Sequence, residues 1–233
     1  MKMNKKGFTL IELLAVIIIL GVLMIIAIPS VTTYIQNSRK SAWVDTAVAY
    51  VKSTVNKVNE GGKLQFFTKD VLYLVPVGHV AADSCVSVES GGQSPFSDTW
   101  RYAYVGVIYN GKGYDYYFIG EDGAGQGVDF VSQKKLNDDG TDDMYSVTKV
   151  SKSSEAANGQ KMLATRYAAH DANYIYSSST SGASFTVGTN TVTTTQTEFN
   201  TLKAALGNGT PAYNEIVIVA ASGTNNCSYT PAA

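Results

Sequence analysis

The chain has 233 residues, of which 45% are hydrophobic and 16% charged, and its formal net charge is −1. A balance this close to neutral excludes the basic footprint of a nucleic-acid-binding domain, and no specific nucleic-acid site is evident. Its 15 tyrosines, 21 glycines and abundant Ser, Thr and Asn suggest a β-rich, extracellular-looking body with polar turns and aromatic cross-strand packing.

The first seven residues form a leader with Lys2, Lys5 and Lys6 and no acid. From Phe8 to Ile28 the only ionisable side chain is Glu12, and the run is long enough to cross a hydrocarbon core as one helix. The positive-inside bias places the leader in the cytoplasm and everything after Pro29 outside. A secretory cleavage site is not evident at the far end, where Ile28 and Pro29 interrupt the small residues. A carboxylate inside such a run costs a few kcal/mol unless it is paired, so Glu12 calls for a cationic partner. A free amine on Phe8, created by cleavage after Gly7, would lie about one helical turn from Glu12 along the axis. Two staggered subunits would then satisfy both charges in a dry core. The alternative is a plain signal anchor whose Glu12 reaches the headgroups.

The order basic leader, Gly7, Phe8, Thr9, Leu10, Ile11, Glu12, Leu13, then an apolar helix with Gly21 and Pro29, resembles the class III signal of the type IV pilin family. That family includes type II secretion pseudopilins and competence pilins, and the likeness covers about the first forty residues. The resemblance implies a prepilin peptidase that cuts after Gly7 and methylates Phe8. It implies that Glu12 neutralises the N-terminal amine of a neighbouring subunit as a helical filament assembles. Its implied partners are identical or related pilin subunits, an assembly platform and the membrane. Its implied location is the cytoplasmic membrane, N-terminus inside, and then a filament at the cell surface.

Beyond the membrane, Pro29 should kink the helix. Val31, Tyr34, Ile35, then Ala42, Val44 or Ala49, Val48, Val51, Val55 and Val58 keep a helical apolar spacing. A helix from Phe8 to Asn59 would be roughly 75 to 80 Å long, stopped by Gly61-Gly62. The expected organisation is therefore a leader at 1–7, a long helix at 8–59 with its membrane span at 8–28, and a head at 60–233. Within the head, 60–99 is a connecting region whose composition fixes neither helix nor strand. The fold class expected is α+β, with the long helix packed against an antiparallel sheet in a pilin-like layout and an elaborated C-terminal region.

The sheet core falls at 100–150. Trp100 to Tyr109 reads as a strand, Asn110-Gly111 begins a turn, and Gly113 to Ile119 reads as the hairpin partner. The loop Gly120 to Asp129 follows. Its position after an aromatic strand is similar to that of the calcium-holding loop of the major type II secretion pseudopilin, which makes Asp122 and Asp129 candidate calcium ligands. The alternative is a plain Gly-rich turn needing no cofactor. The acidic run Asn137 to Asp143 lacks the ligand spacing of an EF-hand loop and reads as a solvated turn.

From 151 to 233 the chain is an elaboration of the same sheet or a small second lobe. Asn173 to Ser177 and Ser184 to Val187 read as short strands, and Tyr213 to Ala221 as a stronger one. Thr195-x-x-Glu198 makes a capping box ahead of a short helix ending near Gly207. If the head is outside the membrane, Cys85 and Cys227 would form a bridge contributing about 3 to 5 kcal/mol by constraining the unfolded chain. Pilins of several lineages resemble this in using a C-terminal disulfide. The alternative is two buried thiols.

No catalytic constellation supports an enzyme. His79 and His170 stand outside any HExxH pattern, and no nucleophile elbow, Walker A loop or Cys-x-x-Cys occurs. The expected function is that of a structural filament subunit serving adhesion, motility, DNA uptake or type II secretion. The competing expectation is an uncleaved, membrane-anchored extracellular binding protein.

Overall fold

The computed structural model describes residues 7, 9–60, 69–77, 93–136, 148–149, 154–169, 174–179, 184–187, 190–193, 195–207 and 212–219. Internal contacts divide the chain into two compact units, Met1–Lys40 and Ser41–Ala233. The division falls inside the first helix, α1 (Leu10–Asn59), because only its later turns enter the head's core. Gly61-Gly62, the expected stop, lies outside the described residues.

In the first unit α1 is helical straight through Pro29. Proline has no N–H, so the Ile25 carbonyl loses its ladder partner there. Around that point three hydroxyls turn back on the helix. Ser30 donates to the Ala27 carbonyl at 2.9 Å, Thr32 to Ile28 at 2.9 Å and Thr33 to Pro29 at 3.0 Å. Such back-bonding satisfies polar side chains inside an otherwise apolar run.

In the second unit α1 buries Trp43, Val44, Ala47, Tyr50, Val51, Thr54 and Val58. These positions recur at helical spacing, singly or as adjacent pairs every three or four residues, and form a single stripe facing the sheet. Of the aliphatic positions expected on this face, Val44, Val51 and Val58 are buried, Val48 and Val55 are partly buried, and Ala42 is exposed. Trp43 and Tyr50 join the buried valines there and bring more area to bury than any valine.

The strands are β1 (Val71–Pro76), β2 (Trp100–Tyr109), β3 (Tyr114–Asp122), β4 (Gln126–Ser132), β5 (Thr148–Lys149), β6 (Tyr174–Ser177), β7 (Ser184–Val187), β8 (Asn190–Thr193) and β9 (Glu215–Ile218). Seven of them form one sheet in the order β5-β4-β3-β2-β1-β9-β6, while β7 and β8 pair separately. All neighbours in the large sheet are antiparallel except β1 and β9, which run parallel with Leu72 opposite Ile216 and Leu74 opposite Ile218. The expected antiparallel sheet is therefore a mixed one. Asp70, in the left-handed region at φ 62°, turns its carbonyl to accept from the Asn214 N–H at 2.7 Å and seats the start of β9.

Three helices complete the head: α2 (Gln133–Leu136), α3 (Ser154–Ala169) and α4 (Gln196–Leu206). Register places Phe118 opposite Val105 on one face, and Tyr104 opposite Ile119 on the other. Trp43 of α1 packs on Phe118, whereas the Tyr104 hydroxyl donates to the Leu163 carbonyl of α3 at 2.9 Å. Helices thus cover both faces of the sheet. This explains β1, in which every residue is buried. A strand covered on both faces reads as a continuous apolar run without alternation, so the connecting region concealed it.

α3 and α4 cross closely. A Cβ on Gly159 would lie 2.3 Å from the Thr201 carbonyl oxygen and 2.7 Å from the Ala205 Cβ. α3 falls in the C-terminal elaboration, where its short apolar stripe gives little sign of a helix in the sequence. α4 begins with the capping box that its sequence announces. Thr195 accepts from the Glu198 N–H at 3.2 Å, and Glu198 accepts from the Thr195 N–H at 3.1 Å.

Candidate functional site

Two places carry candidate site residues: the start of α1 and the β3–β4 turn. At the first, Thr9 and Glu12 bind each other. Oε2 of Glu12 accepts from both the N–H and the hydroxyl of Thr9, each at 2.8 Å, and the Glu12 N–H reaches Thr9 Oγ1 at 3.4 Å. This is the same reciprocal box as at α4, and it fixes the first turn of α1. Thr9 was not singled out from the sequence as a partner of Glu12. The Thr-x-x-Glu spacing that identified α4 was equally visible at 9–12. Phe8 lies outside the described residues, while Gly7 is exposed with nothing within 4 Å of where a Cβ would be.

Beyond this box, α1 exposes one apolar side chain after another. Leu10 is 84% exposed and Ile25 74% exposed, and the series continues to Ile35. The helix is long and apolar enough to cross a membrane. A soluble monomer does not leave a surface of this extent facing water, so it belongs in lipid or against other helices. Glu12 is the one carboxylate along it.

At the second place, Asp122 is fully buried. Its Oδ2 accepts from the Ser94 hydroxyl at 2.5 Å, and its Oδ1 accepts from the N–H groups of Ala124 and Gln126, each at 2.9 Å. The Gly123 N–H donates to the Thr99 carbonyl at 2.9 Å, so the segment before β2 is tied to the same turn. The stretch read as one loop from Gly120 to Asp129 is in fact the end of β3, a tight turn and the first half of β4. Asp129 is exposed on β4. Asp122 thus commits both oxygens to protein donors.

Next to it, Glu121 is 3% exposed and takes Nη1 of the half-exposed Arg101 at 2.7 Å. Its other oxygen and the Tyr102 hydroxyl are buried without a hydrogen-bond partner among the described residues. Burial, and then the charge of Glu121, hold the Tyr102 phenol far above its ordinary pKa. Among the described residues no three His, Cys, Asp or Glu side chains gather in one place. Cys85, Cys227, His79, His170 and the acidic run 137–143 all lie outside the described residues.

The N-terminal sequence has counterparts in known proteins. Residues 2–28 match the family described as "Prokaryotic N-terminal methylation motif". The chain is similar to the "ComG operon protein 3 homolog" of Bacillus licheniformis and to "Competence protein ComGC" of Bacillus subtilis, each 50% identical over 38 residues. Those residues make up 16% of this chain and 39% of each relative, so the chain spans well under half the length of the curated relatives it matches. No solved structure matches the chain.

Proposed function

We propose that this protein is a structural subunit of a type IV pilus-like filament, without enzymatic activity. It would be inserted in the cytoplasmic membrane with its leader inside, cut after Gly7 by a prepilin peptidase, methylated on Phe8, and polymerised through α1. The observation that carries this reading is the methylation motif at 2–28 together with the exposed apolar surface of α1, on which Glu12 is the single carboxylate. In a bundle of such helices, Glu12 of one subunit neutralises the Phe8 amine of the next, and each charge removes the other's desolvation cost. Related subunits and an assembly platform are the partners this requires. The Bacillus subtilis relative is named a competence protein, which favours DNA uptake among the uses open to such a filament.

The test is intact-mass and N-terminal analysis of the protein in material sheared from the surface of the native cell. A chain beginning at Phe8 and heavier by one methyl group is expected. A chain still beginning at Met1 and confined to membranes would overturn the filament reading in favour of an anchored extracellular binding protein.

A further inference from the structure

Three Asn-Gly pairs occur in this chain, at 110–111, 158–159 and 208–209, the last outside the described residues. The first two sit in opposite environments. Asn110 is exposed at the tip of the β2–β3 hairpin. Its Oδ1 accepts from the N–H groups of Lys112 and Gly113, both at 3.0 Å, and its Nδ2 donates to Asp115 Oδ2 at 3.0 Å. The side chain is therefore folded forward over the turn, in the Asx arrangement. Gly111 has φ +89° and no side chain to hinder its nitrogen, and its N–H has no hydrogen-bond partner among the described residues. The end of Lys69 lies against the same glycine, with Nζ 2.9 Å from where a Cβ would be. Asn158 instead lies inside α3, where helix geometry commits the Gly159 N–H to the carbonyl four residues back.

We propose that Asn110 is a self-modification site, at which the folded turn drives conversion of the asparagine to aspartate and isoaspartate. The Gly111 nitrogen gives its proton to solvent base and bonds to Asn110 Cγ. Negative charge then develops on Oδ1, where the N–H groups of Lys112 and Gly113 already point. Two preset donors on a developing oxyanion are the arrangement that lowers the barrier to acyl transfer. The ammonium of Lys69 adds a favourable charge close to the attacking nitrogen. The Cγ–Nδ2 bond breaks, and Nδ2 takes a proton from water and leaves as ammonia. Water then opens the five-membered imide at either carbonyl, giving aspartate or a β-linked isoaspartate. Water is the only co-reactant. The product places a new carboxylate against Asp115 and, in the β-linked form, lengthens the backbone of the hairpin tip.

The experiment ages the full-length protein in detergent micelles at mildly alkaline pH, folded and in urea, and follows two tryptic peptides by mass. Tyr102–Lys112 contains Asn110 as its one asparagine, and Ser153–Lys161 contains Asn158. The folded protein is expected to convert Asn110 on the order of tenfold faster than urea-unfolded protein does, less than the roughly hundredfold loss when one oxyanion donor is removed from a dry site, because these donors are open to solvent. Asn158 is expected to convert more slowly folded than unfolded. Conversion of Asn110 no faster in the folded protein than in urea would overturn the proposal. Lys69→Met should slow the folded rate and Lys69→Arg should retain it; an unchanged rate in Lys69→Met would remove the lysine from the account.

Discussion

Trp43 of α1 meets Trp100 of β2 edge to face, with ring centroids 5.4 Å apart and planes 68° to one another. Trp43 is fully buried and also meets Phe118 at 5.8 Å, while Trp100 meets Tyr50 at 6.2 Å. A bulge in β2 between Trp100 and Tyr102 swings Trp100 onto the α1 side of the sheet. These four rings join helix to sheet. Trp43→Ala is therefore expected to cost about 3–5 kcal/mol, read as a lowered urea midpoint of the head. A loss within ~0.5 kcal/mol, the range of an ordinary surface change, would mean that the helix is held elsewhere.

Glu12→Ala leaves the apolar run intact, so membrane insertion and leader cleavage should be unchanged while filament assembly falls sharply. Immunoblots of membranes and of sheared surface material separate the two steps. Normal incorporation of the variant into filaments would remove the proposed pairing of Glu12 with the neighbouring amine.

Gly159→Ala inserts a methyl where the α4 backbone stands 2.3 Å away. The two helices must separate, and overpacking of this kind costs about 1–3 kcal/mol. A melting temperature equal to that of the parent would show that the crossing relaxes freely.

Asp122→Ala strands the Ser94 hydroxyl and the N–H groups of Ala124 and Gln126 around a vacated buried position. Each donor left dry costs about 1–3 kcal/mol, so the melting temperature of the head should fall clearly. EDTA added to the parent should leave its melting temperature unchanged, since protein donors already occupy both oxygens. A chelator-induced drop reversed by calcium would show that the turn holds a cation.

Alkaline pH should loosen the head. Burial pushes the Tyr116 phenol up from 10.0 to about 12, and burial raises Tyr104 and Tyr167 further. A phenol with a raised folded pKa holds its proton in the folded state after the unfolded chain has lost it. The associated stability is complete below pH 10 and declines as pH climbs toward 12 and beyond. Thermal melts followed by circular dichroism at pH 8, 10 and 11 should show a midpoint that is level at first and then falls. A flat midpoint across that window would contradict the burial of these rings.

Local chemistry made part of this protein legible from its sequence. The hairpin of β2 and β3 announces itself through aromatic strands and Asn110-Gly111, and α4 through Thr195 and Glu198, because a turn or cap is satisfied within a few residues. β1 was hidden because burial on both faces erases the alternation that marks a strand. The pairing of β1 with β9 was hidden because parallel neighbours need no local signal. Asp122 reads as a candidate calcium ligand for a related reason. A carboxylate after a strand in a Gly-rich turn serves a cation or backbone N–H groups equally well, and only the position of Ser94 decides which donors it meets.

The parallel seam between β1 and β9 also bears on the timing of folding. β1 follows directly on α1, whereas β9 comes near the end of the described head, and it is β9 that connects β6 to the rest of the sheet. Until Glu215–Ile218 is in place, β1 is an open edge on that side and β6 lacks its partner in the sheet. Loop closure over almost the whole head must precede the contacts that reward it, which makes late, slow completion the rule for this topology. A nascent head waiting for β9 offers a bare strand edge to its neighbours, so its exposure to misassembly is greatest just before its last strand arrives.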